Sequence, residues 1–298
     1  MPCSMPFFTA CSIDAFWIMI KSRLRCCNSS SSRLKLPSPA PLLGVALFGW
    51  AQALHWDDSA GPFRFVLWLS MIPGVPAVLA FLILVKDRQH SPNPELKFFS
   101  TLRELPARFK RYLAAVGIFG VGDFSHSLLI LAATQLLTAS MGVVQAAQVA
   151  GLLYVGRNVV QVTVSYPIGM PADRYGHLPV LVTGYALAAL TGVLTALVFW
   201  FSIDSVGLLG VIFFIAGLYI AAQEALEATV TAGMVSVTTL STSIGALGTV
   251  NGVAKFISSA AVGILWTAVS PVFGFGVAAL FMTAGTLVLS LSIQHRKR

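Results

Sequence analysis

Charge is scarce in this chain, and cysteine is confined to one end of it. Only 10% of the 298 residues are charged, against about 25% in ordinary water-soluble domains. With 56% hydrophobic residues and a mean hydropathy of +0.82, such a chain cannot hide its apolar surface from water, so lipid must cover part of it. Cys3, Cys11, Cys26 and Cys27 are the only cysteines, and their clustering excludes a disulfide framework for the rest. The sequence has no H-E-x-x-H, no G-x-S-x-G and no Walker-type loop, so nothing in it points to an enzyme, a metal or a cofactor. Zinc-finger spacing, RNA-binding aromatic motifs and basic helices are also missing. The net charge of +8 therefore does not indicate nucleic acid.

Long apolar runs are abundant. About 20 apolar residues suffice to cross ~30 Å of hydrocarbon, and from Pro39 onward the chain divides into such lengths. The expected fold class is all-α, a polytopic transmembrane helix bundle of about eight spans near 39–56, 64–85, 113–137, 146–169, 178–202, 206–230, 243–268 and 271–293. The clearest is the fifth, since Leu178 to Ile203 holds no charged residue. The lipid bilayer is thus an expected partner. Gly117, Gly120 and Gly122 in the third span, and Gly245, Gly248 and Gly252 in the seventh, are expected to let helix backbones approach closely.

Residues 1–38 differ in character from the rest of the chain. The apolar stretch Met5 to Ile20 carries Asp14 and is followed by Lys21, Arg23 and Arg25, whereas a cleaved signal has its positive charges first. This segment reads as a disordered leader; a membrane-surface anchor acylated at Cys26 or Cys27 and a misassigned start are the alternatives. The one long polar segment between spans, 86–112, holds Lys86, Arg88, Lys97, Arg103, Arg108, Lys110 and Arg111. Such a basic linker is expected on the cytoplasmic side. Eight spans then put Arg174 and Arg296-Lys297-Arg298 on that side too, with both termini cytoplasmic, and leave Arg64, Asp57, Asp58 and Asp204 outside.

The link between the fourth and fifth spans reads Gly169-Met170-Pro171-Ala172-Asp173-Arg174-Tyr175-Gly176-His177. It resembles the signature loop of the major facilitator superfamily, G-x-L-a-D-r-x-G-r-k, with Gly169, Asp173, Arg174 and Gly176 in register. Gly169 would permit close helix approach, Gly176 a tight turn, and Asp173 a contact with a neighbouring helix N-terminus that breaks on a conformational change. Pro171, His177 and Leu178 depart from the pattern. Gly120 to Ser125, Tyr154 to Asn158, Gly217 to Glu227 and Gly248 to Trp266 are similar to bacterial members. The resemblance covers roughly 40–295. It implies a secondary transporter in the cell (inner) membrane, built from two six-helix halves that rock about a central pathway. On that frame 113–298 is a complete C-terminal half, 39–85 holds the last two spans of an incomplete N-terminal half, and the first four spans are expected to be missing.

Ionisable groups at membrane depth are costly unless paired or hydrated, so each is a candidate for function. Asp123 and His126, three residues apart, are expected on one face of the third span, Arg157 at the middle of the fourth and Lys255 at the middle of the seventh. Asp123 and His126 would bind and release a proton, while Arg157 and Lys255 would hold an anionic solute or pair with Asp123; the competing reading is a structural ion pair. Glu224 and Glu227 read either as interfacial carboxylates or as a pair gating the inner mouth, with Gln223 beside them. Asn158 and Gln161 would extend polar contacts along the fourth span; Gln135, Tyr154 and Tyr219 are weaker candidates. The resulting expectation is a symporter or antiporter of an unnamed small solute, with protons as the coupling species. The rival is a truncated, non-transporting membrane fragment or accessory subunit.

Overall fold

Lipid offers no hydrogen bonds, so a chain this apolar must satisfy its backbone within helices. The computed structural model describes residues 105–294, apart from the side chains of Val237 and of residues 292–294, together with the helical positions Trp68, Met71, Val75, Val78, Leu79, Leu82 and Ile83. The leader 1–38, the span 39–56 and most of the span 64–85 and of the linker 86–112 lie outside the described residues. Within 105–294 the elements are α1 (Ala107–Gly120), α2 (His126–Ser165), α3 (Gly169–Tyr175), α4 (His177–Trp200), α5 (Val206–Ala232), a 3₁₀ turn (Val237–Thr239), α6 (Leu240–Ala268) and α7 (Pro271–Gln294). The described residues contain no strand. Of these helices α2, α4, α5, α6 and α7 are long and apolar enough to cross a membrane.

α2 is 40 residues long, and a straight helix of that length would measure about 60 Å. It is not straight. Gly142 has φ 78 and ψ 162, a backbone conformation that side chains other than glycine's resist. His126 Nε2 lies 3.1 Å from Arg157 Nη2, 31 residues later, a separation of about 46 Å along an unbroken helix. The two arms, 126–141 and 143–165, therefore fold back on one another at Gly142.

Residues 113–137, expected as the third span, form a broken rod. α1 stops at Gly120 and α2 starts at His126. Both pieces run in the same direction along α6. Gly117 faces Val250 and Gly120 faces Ala254, Ser125 N donates to Ser259 Oγ, and Gln135 Oε1 accepts from Trp266 Nε1. The sequence explains the break: Gly122 lies against Ala278 and Met282 of α7, where a side chain would collide with backbone, and Ser125 caps α2 by accepting from Ser127 N. Every backbone donor from Val121 to Ser125 has an acceptor, which irregular backbone at this depth requires.

Small residues fix the remaining packing. α7 runs against α4 and α1, with Gly192 on Ala279 and Gly285 on Phe119; α5 runs against α4 and the second arm of α2, with Gly184 on Ala222 and Gly217 on Arg157 O. Pro271 opens α7, a position that needs no N–H, and Ser270 Oγ accepts from Phe273 N. The expected contacts at Gly245, Gly248, Gly252 and Gly169 are not found: among the described residues no heavy atom lies within 4 Å of a side chain placed there. Val253, Phe256 and Ile257 beside those glycines of α6 are exposed. Large apolar side chains also cover the outside of α7, as at Leu280 and Leu287, which suits hydrocarbon and not water.

A Gly285→Ala change sets a methyl 2.5 Å from Phe119 N, and overpacking of this kind costs about 1–3 kcal/mol. Thermal unfolding in detergent is expected to show that loss, while Gly169→Ala stays within about 0.5 kcal/mol of the parent.

Candidate functional site

The helix break places an ionisable side chain where α1, α5 and α6 meet. Asp123, 3% exposed, accepts from Lys255 Nζ at 3.0 Å and from Gln223 Nε2 at 3.5 Å, both on Oδ2. Oδ1 is buried, and the Tyr219 hydroxyl of α5 lies within reach of the Asp123 carboxylate. Lys255 is less enclosed, its side chain 40% exposed. Asp123 therefore does not share a helix face with His126 as their spacing suggests, because the helix ends between them.

One helical turn away along both partner helices lies a second polar layer. Glu227 follows Gln223 by four positions on α5, and Asn251 precedes Lys255 by four on α6, each a rise of about 6 Å. Glu227 Oε1 accepts from Tyr185 Oη at 2.6 Å, and Oε2 accepts from Asn251 Nδ2 at 2.6 Å. Its backbone carbonyl accepts from Tyr112 Oη at 3.3 Å. Glu227 is thus a buried carboxylate held by neutral donors from α4 and α6, with a further tyrosine contact from α1. The ring of Tyr185 stacks on Phe119 at a centroid distance of 3.7 Å, which fixes its hydroxyl. Glu224 has a different environment: it is exposed and accepts from Gln161 Nε2 at 2.7 Å. The two carboxylates do not form a pair. Glu227 is also not an interfacial group, being 6% exposed.

Arg157 and His126 make a third group. Arg157 is 3% exposed; Nη2 meets His126 Nε2 at 3.1 Å and Nη1 donates to Asn158 Oδ1 at 3.0 Å. Asn158 Nδ2 is anchored on Tyr154 O, and the guanidinium lies 5.4 Å from the Tyr154 ring centroid. Gln135 bonds Trp266, whose ring packs on Phe199 and Phe275, so both belong to the packing at the far end of α6.

Sequence reasoning missed Tyr112, Tyr185 and Asn251 as partners of Glu227. A signal was present: Tyr219, Gln223, Glu227 and Thr231 recur every four residues on a helix whose other polar residues are Glu224 and Thr229, which marks one polar stripe facing inward. Among the described residues no three His, Cys, Asp or Glu side chains converge as a metal site.

The loop between the hairpin and α4 is the short helix α3. Gly176 has φ 97, so the tight turn expected there is present. Asp173, 79% exposed, lies 3.5 Å from His177 Nε2 at the start of α4, and Arg174 sits over the Tyr175 ring at 5.5 Å. Asp173 meets the first residue of the following helix, and His177, which departs from the signature pattern, is its partner.

No family model matches the chain. It is 27% identical over 224 residues to an uncharacterized MFS-type transporter of Methanocaldococcus jannaschii, a match covering 71% of this chain and 54% of the relative. The chain thus spans about half the length of the curated relative it matches.

Removing the Tyr185 hydroxyl leaves Glu227 Oε1 buried without its donor while the ring stays stacked on Phe119. Tyr185→Phe is expected to lower stability by about 1–3 kcal/mol, read as the midpoint of thermal unfolding. Thr183→Val, on the exposed side of the same helix, should stay within about 0.5 kcal/mol.

Proposed function

We propose that the chain works as a secondary active transporter of a small solute, proton-coupled and operating by alternating access. The observation that carries this reading is the Asp123–Lys255 ion pair, set in a break of a helix inside an apolar bundle. Structural stability alone does not ask for such a pair, since well-packed apolar residues usually serve a core at least as well. A carboxylate held by one ammonium and one amide is a group that a proton can release: protonation removes the ion pair and frees α6 from α1. The break supplies the hinge, because its residues are not locked into one helix. Similarity to an MFS-type transporter supports the same class.

On this reading 113–298 is one half of a two-half transporter, and the layers around Asp123, Arg157 and Glu227 line its central pathway. The basic linker 86–112 and the α3 loop lie on the cytoplasmic side of a cell membrane, and Asp173–His177 is the contact that opens and closes there. An exposed pair of this kind contributes little to stability, which suits a contact that must break.

The test is uptake by the full chain in liposomes under an imposed pH gradient, across a broad panel of solutes. The gradient is expected to drive at least one solute in, and Asp123→Asn to remove the dependence on the gradient. Uptake no faster than in empty vesicles would instead favour a chain without transport of its own.

A further inference from the structure

Every described carboxylate buried in the bundle is bound to something other than Arg157. Asp123 belongs to Lys255, Glu227 to Tyr185 and Asn251, and the exposed Glu224 to Gln161. Among the described residues Arg157 contacts His126, Asn158 and the Tyr154 ring, and Tyr219 lies close enough to feel its charge, but no carboxylate pairs with it. Its Nε is buried with no hydrogen-bond partner. A guanidinium is always charged, and a buried charge without a counter-charge is destabilising by several kcal/mol. An amide oxygen and an aromatic face offset only part of that.

A second observation falls at the same place. His126, the partner of Arg157 Nη2, is the first residue of α2, so the guanidinium stands beside the start of a helical arm created by the break. Helix N-termini carry partial positive charge and unpaired N–H groups, and discontinuous membrane helices direct them at anions. Ser125 Oγ caps the Ser127 N–H with a neutral oxygen, and α2 has no acidic residue in its first turn; Asp123, two residues before the cap, is engaged by Lys255.

We propose that Arg157, with His126 and the first turn of α2, binds an oxyanion group, a carboxylate or phosphate, of the transported solute. This rests on the transport reading for its role, though not for the binding itself. The planar fork of arginine suits two-oxygen groups. Lys255 is not the anion's ligand, because Asp123 already neutralises it. Loading the anion supplies the missing counter-charge, and its release leaves an isolated cation in the pathway.

The test is thermal unfolding of the full chain in detergent and Tris-chloride, with benzoate, succinate or inorganic phosphate, each against its neutral match benzamide, succinamide or trimethyl phosphate. At least one anion should raise the midpoint by several degrees where its neutral match does not. Arg157→Gln should abolish that shift while its unliganded midpoint stays at or above the parent's. If Arg157→Gln cannot be isolated folded, Arg157→Lys decides, with anion affinity expected to fall by about tenfold on loss of one charge-assisted hydrogen bond. No preference for any anion over its neutral match, a shift unchanged in either variant, or an unliganded Arg157→Gln midpoint clearly below the parent's would overturn the proposal. Anion binding without uptake in liposomes would leave this site standing and remove the transport reading. Uptake untouched by Arg157→Gln would do the reverse.

Discussion

The arrangement turns on an ion pair in a place where ion pairs are expensive. Asp123 is buried at the point where α1 ends, and Lys255 reaches it from α6. Neither side chain has an easy alternative: the carboxylate is enclosed, and the apolar bundle provides few other charges. The pair therefore ties two helices together through a charge-dependent contact. The backbone supports it, because Gly122 lets α7 come close to the break and Ser259 Oγ accepts the Ser125 N–H. An unbroken helix through 121–125 would turn Asp123 to another face and leave Lys255 without its partner.

The neighbouring polar groups extend this junction without merging into it. Along α5 the residues Tyr219, Gln223, Glu227 and Thr231 form one inward stripe, and α6 matches it with Asn251 and Lys255. The Asp123 layer is held by a cation. The Glu227 layer, one turn away, is held by a tyrosine hydroxyl and an amide. Two carboxylates a turn apart thus have different partners, one charged and one neutral. Several hydroxyls elsewhere in these helices are consumed locally, as where Thr191 and Thr195 each donate to a carbonyl four residues earlier.

Much of this is legible in the sequence. The apolar runs from 146 onward form helices with nearly the expected limits, Asp123 meets Lys255, and His126 meets Arg157. The break is invisible to hydropathy, which sees Ala114 to Leu137 as one apolar run with a charge in it. The local grammar is nonetheless present: two glycines, an aspartate, then a serine immediately before a helix-forming stretch. Glycine spacing by itself does not name the close contacts found among the described residues. Gly248 and Gly252 satisfy a packing pattern, yet among the described residues nothing lies near them, while Gly122, Gly217 and Gly285 make the close contacts without such a motif. A glycine pattern states that close approach is possible; only the partner helix decides whether it happens. Spacing likewise cannot separate Glu224 from Glu227, since three residues on a helix turn side chains by about 60°, enough to move one outside while the other is enclosed.

The most direct measurement is a solid-state NMR recoupling experiment in lipid bilayers between ¹⁵N at Lys255 Nζ and ¹³C at the Asp123 carboxylate. An Nζ to Oδ2 distance of 3.0 Å predicts strong dipolar dephasing at neutral pH, lost when Asp123 is replaced by asparagine. Absence of coupling in the parent protein would mean that the two charges do not meet in the membrane, and would contradict the junction on which this account is built.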